Sequence, residues 1–288
     1  MKIKTGRMAK PDRIVLTGTE GVGKTTFAAD APSPVFIAAE DGIGHLDVHS
    51  FDEPKAVMDV FDALRSLRGE PHEYKTLVVD TVDWLEPIIL KEVCERNKWH
   101  DIEAPGYGKG YAAALDEWRK LIADFDALRA ERGMEIILIA HTQVKLFSNP
   151  AGPDYNRYEM KLHRGASALL REWADSVLFA CYEEAADKKT KKGISTGHRV
   201  IHTERRSAWD AKNRHGLPEM LSLSYEEYAA ARSGPDVEAL AVEFDDLLAR
   251  LNPPKDLKKK IVAFVGKRDD PSRLAQSIDR LRALITEA

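Results

Sequence analysis

The residues best suited to chemistry lie in a short segment near the start of the chain. The stretch GTEGVGKTT joins an apolar run to a helical segment and matches the pattern GxxxxGK[ST] in full. Its glycines let successive backbone N–H groups point at phosphate oxygens, Lys24 supplies a positive charge to the β- and γ-phosphates, and Thr25 offers a hydroxyl to Mg²⁺. We predict a nucleoside triphosphate site, with an ordinary glycine-rich turn as the alternative. Its predicted residues are Gly18, Thr19, Glu20, Gly21, Val22, Gly23, Lys24, Thr25 and Thr26.

Carboxylates at the ends of two later apolar runs complete this prediction. Asp80 ends TLVVD, where it can join Thr25 as a Mg²⁺ ligand. Glu40 closes VFIAAE; if this strand neighbours the strand before the loop, Glu40 opens onto the same crevice and can activate the attacking water. Asp41 is the other candidate for this base. The alternative is that Glu40 is only a solvated or helix-capping carboxylate. Asp83 stands where a helix would begin, so we interpret it as an N-cap.

One amide lies at another strand end, in LIAHTQVK. Gln143 can hydrogen-bond both the γ-phosphate and the attacking water, and so report whether the phosphate is present. His141 and Thr142 are the neighbouring alternatives.

The elements that would position these residues alternate along the chain. Short β-branched and aliphatic runs are followed by longer segments of helical period, which is typical of an α/β protein with a mostly parallel sheet flanked by helices. The predicted strands are 13–18, 34–40, 75–80, 135–141, 175–183 and 198–204. A boundary near ARSGPD separates three short C-terminal helices, so we predict an N-terminal arm (1–12), a main domain (13–233) and a helical appendage (234–288).

Composition limits the function classes. Lys and Arg number 43 against 47 Asp and Glu, a net charge of −4, so an anionic partner must be held by a local basic patch. Two distant cysteines fit a reducing compartment and give no metal site. Because we find neither a long apolar span nor a signal peptide, we expect a cytoplasmic protein without a membrane partner.

The order of these motifs, followed by AWDAKNRHGLP, resembles the RecA-type ATPase core and especially the phage nucleotide-binding AAA-domain proteins that act as Sak-type single-strand-annealing recombinases. The resemblance covers about 14–231. It implies that Glu40 is the catalytic base and that Gln143 links ATP to the DNA-binding loops. It also implies that Lys212 and Arg214, in KNRHG, insert into a neighbouring subunit's ATP site. His215 departs from the family's phenylalanine, and a basic surface turn is the alternative.

Two connections combine small residues with cations and aromatic rings, as single-stranded DNA requires. They are APGYGKGYAAA and VKLFSNPAGPDYNRYEMKLHRG, of which the second is too long for an ordinary connector. Composition alone fits mobile surface loops equally well, and the resemblance favours DNA. The predicted DNA-binding residues are Tyr107, Lys109, Lys145, Phe147, Arg157, Tyr158, Lys161 and Arg164.

The leading functional prediction is a Mg²⁺-dependent, DNA-stimulated ATPase that forms oligomers with ATP between subunits and binds single-stranded DNA to promote annealing or strand exchange. A single-strand-binding protein is a further candidate partner. The alternatives are a ring-shaped helicase or branch-migration motor, and a weakly hydrolysing switch or loader in replication. A small-molecule kinase ranks last, because the sequence has no arginine-rich lid.

Overall fold

The computed structural model describes residues 10–186, 193–234, 237–265 and 271–287. The chain forms two compact units, Met1–Tyr228 and Ala229–Ala288. The domain limits inferred from the sequence, 13–233 and 234–288, remain predictions.

Strands and helices alternate through most of the first unit. The strands are β1 (Arg13–Gly18), β2 (Pro34–Ala38), β3 (His49–Ser50), β4 (Thr76–Asp80), β5 (Glu135–Phe147), β6 (Tyr155–Met160), β7 (Ser176–Ala186), β8 (Gly193–His202), β9 (Lys212–Asn213) and β10 (Met220–Ser222). The helices are α1 (Lys24–Ala29), α2 (Val57–Gly69), α3 (Val82–Asn97), α4 (Lys109–Arg132), α5 (Arg164–Trp173), α6 (Tyr225–Ser233), α7 (Val237–Leu251), α8 (Lys255–Val265) and α9 (Pro271–Glu287).

The main sheet has the order β10-β8-β7-β1-β5-β4-β2-β3. Pairing is parallel from β7 to β3 and antiparallel where β8 and β10 extend one edge. This confirms the predicted α/β class, with a mostly parallel sheet flanked by helices and with helices at the C-terminus. Parallel strands end at a common edge, so the carboxyl ends of β1, β2 and β4 lie together, beside the middle of β5 and of β7.

The condition stated for Glu40, that its strand neighbours the strand before the loop, is not met. The strand before Glu40 is β2, and β5 and β4 separate it from β1. Glu40 nevertheless lies at the sheet edge that carries Asp80, because β2 pairs with β4 and Ala38 lies opposite Asp80. Strand order depends on long-range pairing, which local sequence patterns do not encode.

The core explains why the central strands are continuous apolar runs. Residues on both faces of β1, β2, β4 and β5 are buried, and alternate residues of β2, β4 and β5 pack with helices α2 to α5. On α1, Phe27 packs edge-to-face against Tyr225 and Tyr228. The Tyr228 hydroxyl donates to Asp12 at 2.8 Å and so ties the end of this unit to the segment before β1.

The second predicted DNA loop is largely a β-hairpin. Strand β5 continues to Phe147 and pairs antiparallel with β6, from Thr142 opposite Met160 to Phe147 opposite Tyr155. Its turn spans 148–154, where proline, glycine and asparagine are concentrated. The sequence also predicts a solvated turn in the lysine-rich DKKTKKG between β7 and β8, of which residues 187–192 lie outside the described residues.

The unit Ala229–Ala288 contains the expected C-terminal helices. Phe244 and Leu247 of α7 are buried with Leu274 and Ile278 of α9, which fits the helical spacing of these apolar residues. In the described part of the chain, no helix is long and apolar enough to cross a membrane. Cys94 and Cys181 are both half-buried.

Candidate functional site

The loop between β1 and α1 requires glycine at three positions. A Cβ atom on Gly18 would lie 2.4 Å from the carbonyl oxygen of Ala180 on β7. Gly21 and Gly23 have φ of 70° and 109°, a region that is strained for other residues. The backbone therefore adopts a turn that a chain with side chains at these positions could not form.

Lys24 is the first residue of α1, and its side chain extends back over this loop. Its side chain is buried, and its Nζ donates to the carbonyl oxygens of Gly18 at 3.1 Å and Thr19 at 2.8 Å. Burial lowers the pKa of Lys24, while the negative charges of Asp80 and Glu40 oppose that shift. The ammonium group is thus held at the mouth of the loop, where a phosphate could replace the two carbonyl oxygens.

Thr25 of α1 and Asp80 at the end of β4 are in contact at the sheet edge. The Thr25 hydroxyl donates to Asp80 Oδ2 at 2.7 Å. Burial raises the pKa of Asp80, and the hydrogen bond from Thr25 and the charge of Lys24 counteract it. Mg²⁺ is commonly held by one or two such protein oxygens together with phosphate oxygens and water. The pair therefore fits this ion without a larger cluster of ligands, and the described residues contain no such cluster.

Glu40 follows β2 and is half-buried beside this pair. Burial raises its pKa, and the charges of Asp80 and Asp83 raise it further, while His141 opposes the shift. A carboxylate of raised basicity is suited to accept a proton from water. Its rival Asp41 is exposed.

Asp83 does not cap a helix, so that interpretation was wrong. Helix α3 begins at Val82 with Thr81 at its N-cap position, which places Asp83 within the first turn. Its carboxylate accepts hydrogen bonds from the backbone N–H of His141 at 2.9 Å and from the ring Nδ1 at 3.0 Å. Burial would raise the pKa of Asp83, but these bonds bring it below its ordinary value. Asp83 therefore fixes β5 beside β4, a role that only the tertiary pairing reveals.

Gln143 lies two residues beyond His141 on β5 and is half-buried. Its Nε2 donates to the carbonyl oxygen of Met160 at 3.4 Å, across the hairpin. The Gln143 amide thus lies at the base of the hairpin, on the side of the carboxylates at the sheet edge.

The eight predicted DNA-binding residues fall into two groups. Three are committed to internal contacts: Arg157 is buried with its Nη2 2.5 Å from Asp210, and the half-buried Tyr158 ring lies 5.2 Å from that of Phe179. Phe147 is also half-buried, under the Arg157 guanidinium. The exposed members are Tyr107, Lys109, Lys145, Lys161 and Arg164. In this conformation Arg157 cannot contact a phosphate, since its charge is paired inside the protein.

Lys212 and Arg214 are far from the loop of their own chain. Lys212 lies on β9 opposite Val177, near the start of β7, whereas the loop follows the other end of β1. The Lys212 Nζ donates to the carbonyl oxygens of Arg171, Glu172 and Ala174 at 2.9, 2.9 and 2.6 Å. Arg214 Nη1 lies 3.1 Å from Asp175 Oδ1. Both cations have partners within the chain, and their action on a neighbour stays a prediction.

Sequence reasoning missed two residues beside the loop. Tyr182 of β7 and Arg199 of β8 lie opposite each other in the antiparallel ladder. The Tyr182 hydroxyl donates to the carbonyl oxygen of Gly21 at 3.3 Å, and Arg199 Nη1 is 3.1 Å from the position of a Cβ on Gly23. They carry no motif, and only the pairing of β7 with β1 places them.

A comparison with protein-family models matches residues 10–215 to the family described as AAA domain. The matched region is more than half of the chain and includes the loop, Glu40, Asp80 and the hairpin. No curated protein matches the chain.

Proposed function

The chain belongs to the AAA domain family, a class of P-loop ATPase-type domains, and from this we propose that it is a Mg²⁺-dependent ATPase that assembles on single-stranded DNA. The observation that carries the ATPase part is the contact of the Thr25 hydroxyl with Asp80 at 2.7 Å, next to the buried Lys24. A metal-binding pair beside a phosphate-binding lysine is what triphosphate hydrolysis needs.

Each residue has a distinct role in this proposal. Lys24 exchanges the carbonyl oxygens of Gly18 and Thr19 for the β- and γ-phosphates. Thr25 and Asp80 would hold Mg²⁺, which neutralises charge on the transferring phosphoryl group when bound. Glu40 takes a proton from the attacking water, for which its raised pKa is suited. Gln143 hydrogen-bonds the γ-phosphate. Loss of this phosphate therefore releases a contact of the hairpin that carries Gln143.

The DNA part of the proposal is supported by the surface near this sheet edge. Tyr107 is fully exposed, between two glycines of positive φ that precede α4. Lys145 is exposed on β5, two residues beyond Gln143, and Lys161 and Arg164 are exposed where β6 leads into α5. Aromatic rings that stack on bases, next to cations that follow phosphates, suit an unpaired strand of any sequence.

The assembly part of the proposal rests on the resemblance of KNRHG to cations that act between subunits, and the position of these cations is compatible with it. Lys212 and Arg214 lie at the opposite end of the sheet from their own loop, so they could complete only a neighbour's nucleotide site. Their partners within the chain favour a second candidate, a nucleotide-dependent switch that hydrolyses ATP slowly. Annealing or strand exchange is the activity we propose for the assembled form.

The test is a steady-state ATPase assay of the full chain with Mg²⁺, with and without single-stranded DNA, at several salt concentrations. We expect turnover that DNA stimulates, a stimulation that decreases with salt, and no turnover for Lys24→Ala. An equal rate with and without DNA would favour the switch. Wild-type protein that does not bind ATP with Mg²⁺ would refute both.

A further inference from the structure

The cross-strand pair of Tyr182 and Arg199 holds a positive charge against the phosphate-binding loop. The Tyr182 hydroxyl contacts the Gly21 carbonyl oxygen, and the Arg199 guanidinium carbon lies 5.7 Å from the centroid of the Tyr182 ring. The backbone carbonyl of Arg199 accepts a hydrogen bond from Leu223 at 2.9 Å. The ring and the backbone therefore both restrict where this guanidinium can lie.

The guanidinium is close to the backbone groups that would bind phosphate. Arg199 Nη1 is 3.1 Å from the position that a Cβ on Gly23 would occupy. Since Cβ is about 2.5 Å from the nitrogen of its own residue, Nη1 lies within about 6 Å of the Gly23 nitrogen. A phosphate oxygen that accepts from that N–H at about 2.9 Å is within reach of Arg199 after a small side-chain rotation.

The local charge balance also favours a second cation. Four carboxylates act on Lys24 from nearby, those of Asp80, Asp83, Glu40 and Glu20. Mg²⁺ would offset part of this negative charge, but a triphosphate adds more. Arg199 is exposed at the outer side of the loop, and a guanidinium is weakly hydrated, so its contact with a phosphate costs less desolvation than an ammonium would.

We propose that Arg199 is a second phosphate-binding cation of the nucleotide site, supplied by the same chain and positioned by Tyr182. This inference rests on the proposed function and deepens it. Arg199 binds the phosphates of the substrate, so the site has a cation of its own chain in addition to any that a neighbouring subunit contributes.

The test compares the affinity of the full chain for ATP with Mg²⁺ by isothermal titration calorimetry. The variants are Arg199→Gln, which removes the charge, and Arg199→Lys, which retains it. Arg206→Gln is the matched control, because Arg206 is exposed and ion-paired with Glu219 away from the loop. We expect at least a tenfold weaker affinity for Arg199→Gln, a smaller loss for Arg199→Lys and no change for Arg206→Gln. Tyr182→Ala should weaken ATP binding, and Tyr182→Phe should retain most of the affinity.

Two results would overturn the inference while leaving the proposed function intact. The first is wild-type affinity in Arg199→Gln. The second is an equal loss in Arg199→Gln and Arg199→Lys, because a packing role does not depend on charge. The denaturation midpoint of each variant, measured in parallel, should match that of the wild type. Failure of the wild-type chain to bind ATP would instead refute the proposed function.

Discussion

Lys212 has a role within its own chain that can be separated from any action on a neighbour. Its Nζ donates to three carbonyl oxygens in and just after the last turn of α5, where a helix leaves such groups without partners. A cation is also favourable at a helix C-terminus. We therefore predict that Lys212→Ala destabilises the first unit even without nucleotide or DNA.

The magnitude follows from these contacts. A hydrogen bond to a charged group contributes about 1.5–3 kcal/mol when buried, but Lys212 is only half-buried, and water can replace it at the carbonyl oxygens. Burial also lowers the pKa of Lys212, so the cost of desolvation offsets part of the gain. The expected loss is about 1–2 kcal/mol.

Urea denaturation followed by tryptophan fluorescence measures this change. All five tryptophans, from Trp84 to Trp209, precede Tyr228, so the signal reports on the first unit, and Trp173 ends the capped helix. The matched control is Lys91→Ala, on an exposed face of α3, which should change stability by less than about 0.5 kcal/mol. A Lys212→Ala chain as stable as this control would refute the capping argument. Mixing Lys212→Ala subunits with Glu40→Gln subunits then tests whether Lys212 acts on the ATP site of a neighbouring subunit. Recovered ATPase activity would require such action between subunits.

The other predictions concern turnover, DNA affinity and stability. Glu40→Gln should bind ATP normally but turn over at least about 100-fold more slowly. Because the pKa of Glu40 is raised, wild-type kcat/KM should fall as pH drops through a range above that of an ordinary glutamate, and pH profiles of both proteins check this. Tyr107→Ala should weaken single-stranded DNA binding by about 1–3 kcal/mol in fluorescence anisotropy, with an unchanged denaturation midpoint. Arg157→Ala should lower the free energy of unfolding by about 1–3 kcal/mol in urea titrations, since Asp210 loses its buried partner but keeps its ion pairs with Arg171 and Arg205.

The features that the sequence predicts well are contiguous along the chain. The strand, the glycine loop and the following lysine and threonine occupy 13–26, and each residue type is required by its own backbone or by phosphate chemistry. Asp80 could be predicted because it ends a fully apolar run, and such a run ends at the sheet edge.

The features that the sequence did not reveal depend on long-range pairing. Composition identifies Arg157 and Lys212 as cations, but it cannot show that Asp210 and the carbonyl oxygens at the end of α5 already bind them. The alternation in HTQVKLF is typical of a strand, yet the nearby prolines and glycines favoured a loop. Arg199 lies far along the chain from Gly23 and joins it only through two strand pairings.

The uninterrupted path of β5 has a mechanical consequence. The strand passes His141, which Asp83 holds at two points, and continues for six residues to Phe147 without a break in its pairing. Six residues of strand extend about 20 Å, so a tilt of about 10° at His141 would move the far end by about 3.5 Å. If the hairpin moves as one body, a small displacement near the phosphate-binding loop therefore becomes a larger one at its turn.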